Sequence, residues 1–424
     1  MIKIMDYREY TVRSADLFNN YEIEANIRRM IEHIKHKGDE ALFELTKTFD
    51  KVQLHNLEVT EDEVEEAYKK LEPYFLKAIR KAISNITKYH EKQKRNSWIS
   101  EEENGIILGQ KITPIEQVGI YVPGGTASYP SSVLMTVIPG KVAGVRDIII
   151  CTPPGIDGKV NPYTIVAARE SGADHIYKIG GAQAIIAMAY GTESIPKVYK
   201  IFGPGNIYVT VAKKMVYGAV DIDMLAGPSE ILVIADQYAN PKYVAADLLS
   251  QAEHDTFASS ILVTPSLKFA EAVQEQIELQ IENLPRKEII RKSLQGMGAI
   301  LIVPDIFKAF EVSNEIAPEH LELHIKEPFK YLGFIRNAGA IFLGENTPEP
   351  VGDYIAGPSH VLPTGGTAKY YSVLSVDDYI KKSSIVYYSS SGLEGVKEEI
   401  TILANLEGLH AHANSINIRE GEYK

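Results

Sequence analysis

The sequence predicts an α/β protein with two parallel sheets, each covered by helices. Between residues 114 and 226, a strand-like run, a glycine-rich turn and a helical pattern follow one another four times. From residue 230 to residue 343, apolar runs alternate with helical patterns in the same way. Strands of a parallel sheet are joined by crossover helices, and because both faces are buried they read as nearly continuous apolar runs. The rest of the chain is predicted as a helical N-terminal region and a small C-terminal segment.

Composition and charge narrow the class of protein further. The chain has 424 residues, of which 45% are hydrophobic and 24% charged, so at least two domains with ample cores are expected. Its net charge is −12, whereas nucleic-acid-binding proteins more often present a basic face. We therefore expect neither nucleic acid nor an anionic membrane as a partner. The sequence has no stretch of 18 or more apolar residues, so no membrane span is expected.

Cysteine content and the N-terminus indicate a cytoplasmic protein. Cys151 is the single cysteine, so no intrachain disulfide can form, and a reducing compartment is the simplest setting. The first ten residues lack the continuous apolar core of a signal peptide. Cys151 closes an apolar run, which predicts a buried structural thiol rather than a nucleophile.

The N-terminal region reads as helical. Apolar residues recur at helical spacing from Asn20 to Lys37, and Gly38 follows as a stop signal. Thr60–Glu63 is a capping box, which predicts the start of a long charged, amphipathic stretch toward Trp98. We interpret this stretch as a solvated helical face over the core.

The first α/β series has strands that each end in a turn rich in glycine or proline. Its predicted strands are 117–122, 148–151, 175–179 and 198–202, and its predicted helices are 132–143, 161–171, one from Gly180–Gly181 to Tyr190, and one that follows Asn206.

The second series resembles the first, and the C-terminal patterns are weaker. Its predicted strands are 230–235, 260–264, 299–303 and 339–343, its helices are 241–254, 266–281 and 305–316, and a strand at 384–388 and a helix at 393–409 follow. The predicted domains are an arm (1–22), a first α/β domain with the N-terminal helices (23–113 and 227–370), a second α/β domain (114–226) and a C-terminal arm (371–424).

Three glycine-rich turns indicate a ligand site on the first series. The two predicted Rossmann-like domains lack the usual Gly-x-Gly-x-x-Gly fingerprint of dinucleotide sites. Instead, Tyr121–Gly125, Gly180–Gln183 and Gly203–Asn206 each follow a predicted strand. Ligands of open α/β sheets bind at the carboxyl ends of strands, and helix N-termini there favour phosphate. The turns predict a ligand and leave open whether it is a dinucleotide.

Four histidine-bearing motifs are spread over the C-terminal half of the chain. They are Ser250–Asp255, Ala317–Leu323, Gly352–His360 and Glu407–His412. Together they supply imidazoles, carboxylates and an amide, which are ligands that zinc accepts. Because the motifs are so far apart in sequence, a site made from them has to be assembled by the whole fold.

The first two motifs allow a functional and a structural interpretation. Gln251 and His254 are three residues apart, so on a helix both could face one ion, although such a pair is more often a polar helix edge. Glu319 and His320 could divide acid–base work, with the imidazole moving protons and the carboxylate activating water. The structural alternative for that pair is a surface turn.

Taken singly, the last two motifs also allow both a functional and a structural interpretation. Asp353 and His360 lie in a segment whose glycines and proline predict a loop, where Asp353 could be a metal ligand and His360 a substrate contact. Glu407 stands near two histidines at the C-terminus. His410 and His412 share a face in a strand but not in a helix, so the spacing leaves open which of them binds.

Read together, these segments resemble the histidinol dehydrogenase family from about residue 20 to the C-terminus. The segments that carry the resemblance are Gly119–Gly125, Gly203–Asn206, Ala226–Glu230, Ala245–Asp255, Ala317–Leu323, Gly352–Pro358 and Glu407–His412. The resemblance implies a zinc-dependent, NAD-linked, four-electron oxidation of L-histidinol to L-histidine through histidinal, the last step of histidine biosynthesis.

By position in those motifs, the resemblance also implies a role for each site residue. The implied zinc ligands are Gln251, His254, Asp353 and His412, the acid–base pair is Glu319 and His320, the further substrate contacts are Ser229, His360 and Glu407, and the NAD contacts are Tyr121, Gln183 and Asn206. The zinc ligands and His320 are also implied to lie against the substrate. The resemblance further implies a homodimer with one zinc ion in each subunit. The C-terminal segment of one subunit is implied to complete the active site of the other.

Small departures from the family pattern leave the implied ligands in place. Ser359 stands where many members have Asn, and Thr256 stands where Pro is common. Relatives that oxidise other polar alcohols keep much of the zinc motif, so Glu407 and the terminal histidines favour histidinol. The alternatives are a zinc hydrolase that uses Glu319 as a base, without NAD, and a non-catalytic paralogue.

Overall fold

The computed structural model describes residues 2–12, 21–124 and 129–419. Part of the predicted arm, the residue Asn20 that opens the first predicted helix, and Gly125 of the first glycine-rich turn lie outside the described residues. The chain divides into two compact units, residues 1–93 with 115–379, and residues 94–114 with 380–424. Among the helices that the structure describes, none combines the length and apolar character that a bilayer crossing requires.

The described strands form three sheets. In chain order they are β1 (Lys3–Asp6), β2 (Trp98–Glu102), β3 (Ile106–Pro114), β4 (Gln117–Tyr121), β5 (Asp147–Thr152), β6 (His175–Lys178), β7 (Lys200–Phe202), β8 (Asp221–Ile222), β9 (Glu230–Ala235), β10 (Ser259–Thr264), β11 (Ala299–Ile302), β12 (His320–His324), β13 (Ala340–Leu343) and β14 (Ile380–Tyr388).

The first unit contains two parallel sheets. One has six strands in the order β1-β11-β10-β9-β12-β13, and the other has five in the order β6-β5-β4-β7-β8. Every described pairing within these two sheets is parallel. The predicted α/β fold class with two parallel sheets is therefore confirmed.

Helices cover the sheets and link their strands. In chain order they are α1 (Tyr21–Lys37), α2 (Asp39–Phe49), α3 (Glu61–Lys70), α4 (Pro73–His90), α5 (Pro130–Ala143), α6 (Pro162–Ser171), α7 (Gly181–Tyr190), α8 (Ile207–Val216), α9 (Pro241–Ala252), α10 (Leu267–Ile281), α11 (Lys287–Gly296), α12 (Ile306–Ile316), α13 (Glu349–Val351), α14 (Ser390–Glu394), α15 (Lys397–Leu406) and α16 (His410–Asn417).

Alternating side chains of the central strands enter separate cores on the two faces of a sheet. In β5, Ile148 and Ile150 belong to one buried apolar cluster, whereas Ile149 and Cys151 belong to the other. This is why the strand reads as an uninterrupted apolar run. Cys151 is fully buried, as predicted, and burial raises the pKa of its thiol far above the ordinary value.

The N-terminal helices pack on the helices of the five-stranded sheet. Helix α1 contacts α7 and α8, α3 contacts α6, and α4 contacts α5. Helix α4 also contacts the helical turn Gly352–Ala356, and the predicted domain that joins residues 23–113 with 227–370 stays a prediction. An amphipathic pattern shows that a helix has a buried face, but it does not show which neighbour covers that face.

The predicted capping box is confirmed, but the helix that it opens is short. Thr60 accepts a hydrogen bond from the backbone N–H of Glu63, and the Glu63 side chain accepts one from the backbone N–H of Thr60. Helix α3 then ends at Lys70, and Pro73 starts a new helix. A proline fits the first turn of a helix better than its interior, so the long predicted stretch is divided there.

The second unit has an antiparallel sheet and three helices. β3 lies between β14 and β2, and it pairs with β14 along nine residues from Ile106–Tyr388 to Pro114–Ile380. The predicted helix 393–409 contains α15, and a further helix, α16, follows it. Gly408 separates them with a positive φ of 75°, a conformation that suits glycine.

Candidate active site

His320 lies at the start of β12, the second strand from one edge of the six-stranded sheet. Its strand pairs with β9 on one side and β13 on the other, and the His320 side chain is buried. Nδ1 lies 2.9 Å from the carbonyl oxygen of Glu230. When Nδ1 carries the proton of this hydrogen bond, Nε2 is the nitrogen that faces the site and can exchange a proton. The pair Glu319–His320 is therefore buried and does not form the surface turn that was the structural alternative.

Four carboxyl groups surround the imidazole of His320. Nδ1 lies 3.7 Å from Glu319, and Nε2 lies 3.7 Å from Asp353 and 4.0 Å from Glu349. Glu319 accepts a 2.8 Å hydrogen bond from the backbone N–H of Glu230, whose own carboxylate accepts one from Gly365. Such a concentration of buried negative charge calls for cations.

The pKa values of these groups reflect burial and the shortage of positive charge. Burial raises the pKa of Glu319 and Glu349 to about 8 and that of Glu230 to about 7. Burial opposes protonation of His320, but the charge of Glu319 and then of Asp353 and Glu349 outweighs it and raises the pKa to about 10. A bound cation among the carboxylates would favour their ionised forms and lower the pKa of His320.

The residues present fit a divalent metal. Gln251 lies in the last turn of α9 and is fully buried, and its Oε1 has no hydrogen-bond partner among the described residues. Its Nε2 lies 3.0 Å from Nδ1 of His254, and the charges of His254 and Asp353 affect each other's pKa. One ligand atom each of His320, Glu349 and Asp353 lies within 4.8 Å of the others. A buried amide oxygen without a partner, next to an imidazole and a carboxylate, is a fitting zinc donor set.

Asp353 lies in a helical turn rather than in the predicted loop. The segment Gly352–Ala356 continues α13 as a π-helix, and the chain leaves it at Gly357 with a φ of 125°. His360 then returns to the site: its Nδ1 lies 3.2 Å from the carbonyl oxygen of Asp353, and its Nε2 lies 3.3 Å from Oγ of Ser132. Ser132 lies in α5, the helix between β4 and β5 of the five-stranded sheet.

The remaining predicted substrate and metal residues fall in two places. Ser229 is half-buried directly before β9, where its carbonyl oxygen accepts a hydrogen bond from Ser259. Glu407 and His412 belong to the second unit and are exposed there. His410 and His412 lie in helix α16 rather than in a strand, so their side chains point in different directions.

The three glycine-rich turns follow strands of the five-stranded sheet and contact one another through Tyr121. The hydroxyl of Tyr121 accepts a 3.0 Å hydrogen bond from the N–H of Gly181 at the start of α7. Gly203 has a φ of 111°, and a Cβ at this position would lie 2.0 Å from the carbonyl oxygen of Tyr121. Asn206 is exposed and caps α8 by accepting hydrogen bonds from Tyr208 and Val209. Gln183 is buried in α7.

Several site residues were missed by reasoning from the sequence. Glu230 and Glu349 were given no role; Glu349 is buried and Glu230 is half-buried beside His320. Asp247, Glu322 and His324 form another buried group of possible ligand atoms. The available signal was the alternation of His320, Glu322 and His324 with leucines, since alternate residues of a strand share a face.

Fold and site together define the class of protein: an α/β enzyme with a buried imidazole–carboxylate centre and glycine-rich turns on a second parallel sheet. A model of the histidinol dehydrogenase family matches residues 14–420. The chain belongs to the histidinol dehydrogenase family, and it is an oxidoreductase.

Individual relatives agree along nearly the full chain. The histidinol dehydrogenase of Clostridium acetobutylicum is 57% identical over 94% of this chain and 93% of its own length. That of Bacillus thuringiensis is 56% identical with the same coverage. The crystal structure of histidinol dehydrogenase from Elizabethkingia anophelis superposes with a TM-score of 0.94 at 40% identity, covering 99% of this chain and 98% of that one.

Proposed function

We propose that this enzyme carries out the zinc-dependent, NAD-linked, four-electron oxidation of L-histidinol to L-histidine through histidinal, as the last step of histidine biosynthesis. The observation that carries the proposal is the buried Glu319–His320 pair beside Asp353 and Glu349, in a chain that matches the family over residues 14–420. An acidic site also suits a substrate with a cationic amine.

One zinc ion per subunit would be held by Gln251, His254 and Asp353, with His412 as the fourth ligand. When bound, zinc would supply positive charge that holds the substrate's amine and imidazole in one pose. The buried, unpartnered Oε1 of Gln251 supports its assignment as a ligand. Ser229, His360 and Glu407 would add substrate contacts. The zinc ligands and His320 would contact the substrate as well.

NAD would bind at the glycine-rich turns, against Tyr121, Gln183 and Asn206. One NAD molecule would accept a hydride in the first oxidation, and a second NAD molecule would accept one in the second. In the first, Nε2 of His320 accepts the proton of the substrate hydroxyl. Glu319, in its ionised form, then accepts a proton from a water molecule that adds to the aldehyde carbon, while protonated His320 returns its proton to the aldehyde oxygen, which gives the hydrate. In the second oxidation, His320 accepts a hydroxyl proton of that hydrate. No thiol is required, which agrees with the burial of Cys151.

The enzyme is further proposed to act in the cytoplasm as a homodimer with an active site shared between subunits. The exposed positions of Glu407 and His412 within the second unit are compatible with such sharing. Histidinol is the small-molecule partner, and we propose no nucleic-acid or membrane partner.

The decisive experiment is to supply L-histidinol and NAD to the purified, zinc-loaded enzyme and to count NADH. We expect two NADH per histidinol, loss of turnover with a chelator, and recovery with zinc. Turnover of a different polar alcohol with none of histidinol would refute the substrate. A protein that binds no NAD in calorimetry would instead support the zinc hydrolase.

A further inference from the structure

A second row of buried charged groups continues from the active site along β12. His320, Glu322 and His324 are alternate residues of one strand, so they share a face. All three are buried, with exposed fractions of 3% or less. The proposed chemistry uses only His320, and the two others lie progressively farther along the strand.

His324 joins β12 to helix α9. Its Nε2 lies 3.3 Å from Oε2 of Glu322 on its own strand and 3.2 Å from Oδ2 of Asp247 on α9. Burial disfavours the imidazolium, but the two carboxylates outweigh burial and raise the pKa of His324 to about 9. His324 thus bridges an acidic group of its own strand and one of α9 in the buried layer between strand and helix.

Glu322 joins the same strand to the segment that carries Asp353. Its second oxygen, Oε1, accepts a 2.7 Å hydrogen bond from the backbone N–H of Glu349, the first residue of α13. This bond satisfies a backbone N–H at the start of a helical segment, where such groups lack partners within the helix.

Each of the three connected elements also carries a residue of the metal or proton-transfer site. Asp247 and Gln251 are four residues apart in α9, so they lie on one face, one turn from each other. Glu349 and Asp353 are four apart in the continuous helical turns from α13 to residue 356. His320 and Glu322 are neighbours on one face of β12.

We propose that Asp247, His324 and Glu322 are positioning residues that hold α9, β12 and the segment 349–356 in register, so that Gln251 and Asp353 meet at one metal ion beside His320. The inference rests on the proposed zinc site. Buried ion pairs add little net stability over apolar packing, but a broken pair leaves an uncompensated charge. Groups that hydrogen-bond to metal ligands set the orientation of those ligands and the metal affinity of a site. Here the three positioning residues hold the helices and the strand that carry the ligands.

The test compares variants of the full-length enzyme in zinc affinity. His324→Leu removes the central donor, His324→Gln retains an N–H of similar reach, and Asp247→Asn keeps the shape without the charge. We expect His324→Leu and Asp247→Asn to weaken zinc binding about 10- to 100-fold in competition with a chromophoric chelator. We expect His324→Gln to recover most of the loss, and the visible spectrum of Co²⁺-loaded protein to change in parallel.

A matched control separates positioning from stability. Lys178→Met removes another ion pair with a buried cation, in which Lys178 of β6 lies 3.0 Å from the partly buried Glu63 of α3. It should lower the melting temperature and leave zinc affinity unchanged. If His324→Leu does not fold, Asp247→Asn decides the question alone.

The outcomes distinguish this inference from the function on which it rests. Zinc affinity within about twofold of wild type in both His324→Leu and Asp247→Asn, with an unaltered Co²⁺ spectrum, would overturn the inference and leave the proposed function standing. A wild-type protein that binds no zinc would overturn both.

Discussion

The two ring nitrogens of His320 have different surroundings, and this difference supports the proposal that His320 is the acid–base residue. Nδ1 meets a backbone carbonyl at 2.9 Å, whereas Nε2 faces Asp353 and Glu349 and has no hydrogen-bond partner among the described residues. A fixed ring with one free nitrogen can exchange protons without rotating. Glu319 is held by the N–H of Glu230 in the same way.

His320→Asn should therefore abolish proton transfer without removing the metal. We expect kcat to fall by about 10²- to 10⁴-fold, because positioned acid–base catalysis typically contributes that much. Zinc content measured by atomic absorption should stay at the wild-type level. A variant with kcat within tenfold of wild type would contradict the assignment of His320 as the base.

Asp50 offers a test of pH-dependent stability away from the proposed metal. It follows α2, its Oδ2 has no hydrogen-bond partner among the described residues, and burial raises its pKa from 3.8 to about 6. The folded state thus binds this proton more tightly than the unfolded state. The stabilising contribution of the protonated group is complete below pH 3.8 and is lost as pH rises through about 6.

Asp50→Asn removes the ionisable group, so we expect stabilisation at pH 7.5 and little effect at pH 4.5. The melting temperature should rise by roughly 2 °C at the higher pH, since about 1 kcal/mol corresponds to a shift of that size in a large domain. Calorimetric melts at both pH values provide the measurement. An equal change at both pH values would show that ionisation is not the cause.

At the level of elements, Gly203 shows why the turn after β7 needs glycine. Its φ is positive, and its α-carbon approaches the backbone of Tyr121 too closely for a side chain. Gly218 also has a positive φ, of 99°, but nothing lies within 4 Å of a Cβ there. The pair separates the effect of backbone conformation from that of close approach.

Gly203→Ala should cost more stability than Gly218→Ala. We expect about 1–2 kcal/mol for Gly218→Ala from the backbone conformation alone, and several kcal/mol for Gly203→Ala. If NAD binds at this turn, KM for NAD should rise in the Gly203 variant and stay unchanged in the other. Urea unfolding and steady-state kinetics measure both effects, and equal losses for the two variants would argue against a steric role.

Strands with apolar side chains on both faces were predictable from the sequence, and a strand with one polar face was not. The runs Ile148–Cys151 and Glu230–Ala235 were recognised as strands because their side chains are apolar on both faces. Strand β12 was missed because one of its faces carries His320, Glu322 and His324. A sequence does not distinguish such buried charges from those of a turn until their partners are known.

At the scale of the molecule, the candidate site combines residues whose interpretation changed when they were taken together. Gln251 or Asp353 alone was better explained as a helix edge or a turn, and only the order of the motifs favoured a common site. Within the first unit, the structure places Asp353 3.7 Å from His320 and Gln251 3.0 Å from His254. Glu230 and Glu349 could not be found in this way, because their roles depend on the pairing of β9 with β12 and on the return of α13 to the sheet.

The proposed sharing of the site between subunits predicts complementation. His320→Asn and His412→Asn should each be inactive as homodimers. After subunit exchange, half of the dimers are hybrids, and each hybrid has one fully native site if His412 acts on the partner subunit. We therefore expect about one quarter of wild-type activity. Activity that stays at the sum of the two parents would place His412 in its own subunit's site.

The alternation along β12 has a consequence for how this protein can change in evolution. Leu321 and Leu323 enter the apolar core, and the polar row lies on the opposite face. Inserting or deleting one residue within the strand would exchange the two rows, so that leucines faced Asp247 and charges entered the core. Length variation is therefore confined to the connecting loops, and diversification of the site itself has to proceed by substitutions that leave the spacing of the strand intact.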